Sequence, residues 1–334
     1  MLRDALQREM PTTSGQPLPP HGGSRLLAVA GERPRHVVAN ADLPATVGAT
    51  DDWIRSRTGI ETRHVAGEGE SVADLATRAT AKAIAAAGVD PAEVDLLLIA
   101  SCSLPSPVPG IAPTVAERLG LRGGALDVNA ACAGFCYALG LADSALRSGS
   151  ARTAVVVGAE RMTDWIDWSD RNTAILFGDG AGAAVLTACA RSENGIGPAV
   201  WGSDGSGRDL IRVADFERQI SMDGSAVFRW ATSSVAQVAR DACAQAGIEP
   251  ADLAAFVPHQ ANQRIVDAVV RQLGLPESTV VADDVRTSGN TSSASVPLAL
   301  AALADAGRIA TGDPVLLVAF GAGLSWAGQV VLAP

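Results

Sequence analysis

Aromatic side chains are scarce in this chain of 334 residues: they make up 4% of it, with a single Tyr. A core built with so few large rings has to close through small residues, and 34 Gly among many Ala point to tightly packed α/β layers. Positive charge is also short. With 26 Lys and Arg against 36 Asp and Glu, the net charge is −10, the opposite of the basic footprint of a nucleic-acid-binding domain. No apolar run approaches the roughly 20 residues of a membrane span. Residues 1–23 carry charges where a signal peptide needs an apolar stretch, so they read as a disordered polar extension and the protein as cytoplasmic. The five Cys (Cys102, Cys132, Cys136, Cys189 and Cys243) fall at no zinc spacing, so thiols are expected, and no metal.

What is present is a sequence that contains itself twice. Residues 73–100 read as an Ala-rich helix, an acidic turn and an apolar strand, and residues 232–259 repeat that order. Gly88, Pro91 and Ala92 answer Gly247, Pro250 and Ala251. A second pair of segments follows, each a small-residue helix and a Val-rich strand, after Cys132 and after Asn290. Strands without alternation, rich in Val, Leu and Ala, are expected to be buried on both faces. The expectation is an α/β chain of two duplicated halves, 24–195 and 196–334, whose equivalent loops meet in one pocket.

Three polar residues stand at ends of these elements. Cys132 opens an apolar helix, where unpaired N–H groups and the positive helix end favour a thiolate. A small buried core thiol is the equally ordinary use of such a Cys. His259 ends an apolar strand, a position suited to hydrogen-bond or acid/base work, although a strand-end His is as often structural. Asn290 is read as the counterpart of Cys132 in the second half; its plain alternative is a helix N-cap. The Gly-rich loop 320–328 lacks the Lys and following helix of a phosphate loop and is expected to approach other backbone closely. The segment 177–186 is read as a packing turn between strands.

Taken together, TDDWIRSRTGIETRH (50–64), ACAGF (131–135), SDRNTAILFGDGAGAAVL (169–186), VPHQANQRI (257–265), GNTSSAS (289–295) and FGAGLSW (320–326) resemble β-ketoacyl-acyl-carrier-protein synthase III. That family belongs to the thiolase superfamily, and the likeness runs from about residue 25 to the C-terminus. It implies a five-layered αβαβα thiolase-like fold in a homodimer. It also implies a decarboxylative condensation of an acyl-CoA primer with malonyl-acyl-carrier protein, initiating fatty acid or type II polyketide synthesis. Cys132, His259 and Asn290 are then the catalytic residues, and the N–H groups of Cys132 and Gly323 form the oxyanion hole. Trp53, Arg57 and Arg171 are similar to the residues that bind CoA. Arg229, Arg264 and Arg271 fall where the family docks its acidic carrier protein. Val108, smaller than the Phe of acetyl-selective members, would cap the acyl pocket of the partner subunit and admit longer primers; Phe135, Met162 and Phe228 would line that pocket or its tunnel. No cofactor beyond these substrates is implied. Two other readings accompany this one: a starter-unit acyltransferase acting without decarboxylation, and a non-catalytic partner subunit. Asn290 favours the condensation, because its amide suits an enolate, and the presence of all three polar residues disfavours the inert subunit.

Overall fold

The structure, a computed structural model, describes residues 22–213 and 219–334. The expected extension 1–23 lies outside the described residues except for its last two, and a strand already begins at Gly23. Two five-stranded sheets organise the chain. The first holds β1 (Gly23–Glu32), β2 (Leu96–Ala100), β3 (Gly124–Val128), β4 (Thr153–Arg161) and β5 (Asp179–Cys189), in the order β1-β5-β4-β2-β3. The second holds β6 (Val200–Ser203), β7 (Ala255–Pro258), β8 (Val280–Val281), β9 (Pro314–Gly321) and β10 (Ser325–Leu332), in the order β6-β10-β9-β7-β8. Each sheet has three parallel strands at one end and two antiparallel joins at the other, so the topology is the same.

The helices repeat with the strands. Those that form the layers are α1 (Val72–Ala87), α2 (Ala112–Leu119), α3 (Gly134–Arg147), α4 (Gly224–Ala246), α5 (Gln263–Leu273) and α6 (Ser295–Asp305). Helix α1 starts at a capping box between Ser71 and Asp74 and stops at Gly88, whose φ of 65° suits glycine. Helix α4 starts on the side chain of Asp223 and stops at Gly247, φ 75°. Pro91 and Pro250 then each open a short 3-10 turn leading into β2 and β7.

Alternation hidden in the apolar strands separates the layers. Leu98, Ala100 and Val156 face inward onto α3 and α6, whereas Leu97, Ile99 and Val155 face outward onto α1 and α2. In the second sheet Val257, Leu317 and Ala319 face the same central helices, and Phe256, Leu316 and Val318 face α4 and α5. The result is five layers: α1/α2, first sheet, α3/α6, second sheet, α4/α5. Small residues let the middle layer sink in. Gly180 and Gly182 lie against Leu298 and Pro297 of α6. The segment 177–186 is therefore not a turn between strands, as its glycines suggested: most of it is β5, and the glycines admit a helix. Among the described residues no helix is long and apolar enough to cross a membrane.

The start of α6 approaches the first sheet closely at Gly158 of β4, where a Cβ would sit 2.3 Å from the carbonyl oxygen of Ser293. Gly158→Ala should cost about 1–3 kcal/mol by forcing the start of α6 off the sheet. Thermal unfolding of the variant reads this directly; an unchanged midpoint would contradict the packing described.

Candidate functional site

The starts of α3 and α6 converge at the centre of the molecule, each preceded by a 3-10 turn, Ala131–Ala133 and Ser292–Ala294. Each turn opens on a residue with positive φ, Ala131 at 47° and Ser292 at 49°. These two fix how the halves correspond. Cys132 answers Ser293, and Asn290 answers Asn129, not Cys132 as the sequence suggested. The two Asn do the same local job: Ala131 N–H donates to Asn129 Oδ1 at 3.1 Å, and Ser292 N–H donates to Asn290 Oδ1 at 2.9 Å. With its oxygen so occupied, Asn290 has its Nδ2–H group left for the pocket it lines. Its backbone is clamped by Leu176 and Gly178, through N–H···O bonds of 2.8 and 3.1 Å.

That pocket is a cavity of about 1010 Å³ which brings together Cys132, His259 and Asn290. Cys132 fits because Gly321, at the end of β9, has no side chain; a Cβ there would lie 2.9 Å from the Cys132 N and Cβ. The helix start was expected to favour a thiolate, and removal from water acts against it. Burial pushes the Cys132 thiol up to about 11, opposed by a hydrogen bond from Ser292 Oγ and reinforced by the negative charge of Glu160. The helix end does not outweigh removal from water. His259 is 3% exposed, with its N–H bonded to Val318 O and its ring edge-on to Phe320 at 5.2 Å. Burial holds its imidazole down at about 3, so it is neutral near pH 7. Its Nδ1 lies 2.7 Å from Ser295 Oγ, which also accepts from Gln260 N–H. No other acceptor for the Ser295 proton is present among the described residues. The proton therefore goes to Nδ1, and Nε2–H is left as a donor.

The other expected residues divide. Trp53 and Arg57 line the mouth of the pocket, and the Arg171 guanidinium lies 4.8 Å from the centre of the Trp53 ring, with that of Arg57 at 5.9 Å. Met162, Phe228, Arg229 and Arg264 also line it, the last stacked over Phe228 at 5.2 Å. Arg271 is exposed on the last turn of α5, outside the lining. Two assignments need correction. Phe135, on the first turn of α3, is fully buried in the central layer among residues of both sheets and does not line the cavity. Gly323 does not line the pocket; Gly321, Ala322 and Leu324 do, the chain having touched Cys132 at Gly321 before it reverses. Val108 is 80% exposed and outside its own chain's pocket. Trp165 lines the cavity, while Trp168 packs beside it.

Several residues here were not singled out from sequence. Cys102, expected from sequence only to be a thiol, lines the pocket together with Cys132. Glu160 is fully buried and accepts from Ser101 Oγ, Ser103 N–H and Ser293 Oγ at 3.1, 3.0 and 2.7 Å. The signal for the serines was available: Ser292, Ser293 and Ser295 are fully buried at the head of an apolar helix, where polar groups need partners. Among the described residues no group of three or more His, Cys, Asp or Glu could hold a metal ion.

Comparison with known proteins shows the relatives of this chain. Residues 126–205 match the family model for 3-oxoacyl-[acyl-carrier-protein] synthase III, and residues 243–332 match the model for its C-terminal part. The chain is 51% identical to beta-ketoacyl-[acyl-carrier-protein] synthase III 4 of Streptomyces coelicolor, over 94% of this chain and 100% of that one. Among solved structures it resembles the priming beta-ketosynthase from the R1128 polyketide biosynthetic pathway, with a TM-score of 0.91 at 44% identity, covering 96% of this chain and 99% of that one. The 3-oxoacyl-[acyl-carrier-protein] synthase III of Aquifex aeolicus aligns with a TM-score of 0.87 at 36% identity, covering 93% and 100%.

The depth of Cys132 sets its response to pH. Alkylation by iodoacetamide should keep accelerating beyond about pH 9, because only the thiolate reacts. A rate that levels off near neutral pH would show that the helix end prevails over burial.

Proposed function

The chain belongs to the 3-oxoacyl-[acyl-carrier-protein] synthase III family, and from that premise we propose that it condenses an acyl-CoA primer with malonyl-acyl-carrier protein through an acyl-Cys132 intermediate. The observation that carries this reading is the convergence of Cys132, His259 and Asn290 in one cavity, with a neutral His and an amide as its polar donors. In the first stage Cys132 sulfur attacks the thioester carbonyl, the acyl group moves to Sγ, and CoA leaves as its thiol with the Cys132 proton. In the second, the malonyl group loses CO₂. The His259 Nε2–H and Asn290 Nδ2–H groups bind the thioester oxygen as it becomes an enolate, a task that calls for neutral preorganised donors. The enolate carbon then attacks the acyl-Cys carbonyl and Sγ departs. The Cys132 N–H is one oxyanion donor. The pocket-lining Ala322 is the better source of the second, since Gly323 lies outside the lining.

Arg171 and Trp53 form the proposed adenine slot. A planar base between them needs about 7 Å, two stacking distances, so Arg171 has to swing outward from its 4.8 Å contact. Arg229 and Arg264 flank the same mouth and, with Arg271 farther along α5, offer positive charge to an acidic carrier protein. An exposed Val108, with Leu126 exposed on the edge strand β3, fits a second copy covering this face, Val108 capping the partner's acyl pocket. No further cofactor enters this scheme.

Intact-mass analysis after incubation with acetyl-, isobutyryl- and octanoyl-CoA tests the scheme. One acyl group per chain is expected on the wild type, none on Cys132→Ala, with the branched or longer primers accepted. Label that persists in Cys132→Ala would remove the nucleophile, and strict acetyl preference would remove the role given to Val108.

A further inference from the structure

Four side chains run in a line from the nucleophile into the protein. Ser292 Oγ lies 3.4 Å from Cys132 Sγ and 3.4 Å from Cys102 Sγ, and Cys102 Sγ lies 3.4 Å from Glu160 Oε1. The hydrogens along this line can be assigned. A carboxylate only accepts, so the single Cys102 proton goes to Glu160. Cys102 Sγ then has no proton to give to Ser292. The Ser292 hydroxyl, fully buried, has one proton of its own and only the two sulfurs to receive it among the described residues. When Cys132 is ionised that choice is decided, since a hydrogen bond to a charged acceptor is shorter and stronger than one to a neutral sulfur.

We infer that Ser292 is a positioning residue for acylation: its hydroxyl, freed by the Cys102–Glu160 bond, donates to Cys132 Sγ and stabilises the thiolate. The inference rests on Cys132 being the nucleophile. The titratable groups around Cys132 are Glu160 after Gly158 on β4, Cys102 after β2 and His259 after β7. The first opposes a thiolate by its charge, and the other two are neutral there, so none of them supplies the missing stabilisation. Backbone strain does not explain the serine. Ala131, its counterpart, has nearly the same positive φ and carries only a methyl group, so the strain belongs to the turn and the hydroxyl is what Ser292 adds. The same residue also steers the second donor, because its N–H holds the Asn290 side-chain oxygen. That backbone bond survives replacement of the side chain, so the two contributions can be separated.

The test compares wild type, Ser292→Ala and Ser292→Gly. The glycine variant suits the positive φ and guards against misfolding. Acyl-enzyme formation from acyl-CoA is followed by rapid quench and mass spectrometry across the pH range, and CO₂ release from malonyl-acyl-carrier protein is measured in parallel. Loss of one hydrogen bond to a charged group should slow acylation roughly tenfold near neutral pH, displacing the profile about one unit to the alkaline side. CO₂ release, which draws on His259 and Asn290, should be unchanged. Acylation at the wild-type rate in both variants, or an equal slowing of both reactions at every pH, would overturn the role given to Ser292. A wild-type protein that takes no acyl group on Cys132 would instead overturn the nucleophile reading on which it rests.

Discussion

The arrangement depends on one steric condition: the start of each central helix must press against the end of a strand from the other half. Cys132 does this against Gly321, and Ser293 does it against the strand carrying Gly158 and Glu160. Neither contact tolerates a side chain on its glycine, so both halves are locked together at the place where the pocket opens. The scarcity of aromatics follows the same logic. Layers that meet at backbone distance are filled by Ala, Gly and Val, and several of the few large rings, among them Trp53, Phe228 and Phe320, line the cavity.

Duplication gave two equivalent helix starts, and the differences between them make the site. In the first half, Gly134 at the start of α3 lies near Ala100 at the end of β2. In the second, Ser295 at the start of α6 bonds His259 just past the end of β7. A pair of small residues on one side thus corresponds to a polar pair on the other. Likewise Gly321 leaves a hole in which Cys132 stands open to the cavity, whereas Glu160 fills the matching space and ties down Ser293. One copy of the motif is open and reactive, and the other is closed and structural. This asymmetry also explains the electrostatics. The closed copy puts a buried carboxylate three contacts from the nucleophile, through Cys102 and Ser292, and burial with that charge raises the Cys132 thiol.

Much of the fold was legible because its signals are local. The caps at Gly88 and Gly247, the prolines after them and the apolar strands appear in the residues themselves, and the five layers follow. The prominence of Cys132 and His259 was legible from their places at element ends. The register between halves was not. Gly88 and Gly247 are offset by 159 residues, but the helix starts are offset by 161, as the positive φ at Ala131 and Ser292 shows. Loops of different length intervene, and neither Ala nor Ser advertises a left-handed backbone. Phe135 and Gly323 fell outside the cavity lining because which face of α3 meets the cavity, and where the chain reverses after Gly321, are set by tertiary packing. Cys102, Ser292 and Glu160 were hidden for another reason: their meaning lies in contacts across 58 to 190 positions of sequence.

The central claim is that the cavity makes a carbon–carbon bond by using Asn290 and His259 on an enolate. It is tested most directly by a single turnover of isolated acyl-enzyme, freed of acyl-CoA, with malonyl-acyl-carrier protein labelled in its carboxyl group. The account predicts one CO₂ released for each β-ketoacyl-carrier protein formed, and loss of both with Asn290→Ala. Transfer of the intact acyl group to the carrier without CO₂ would contradict it.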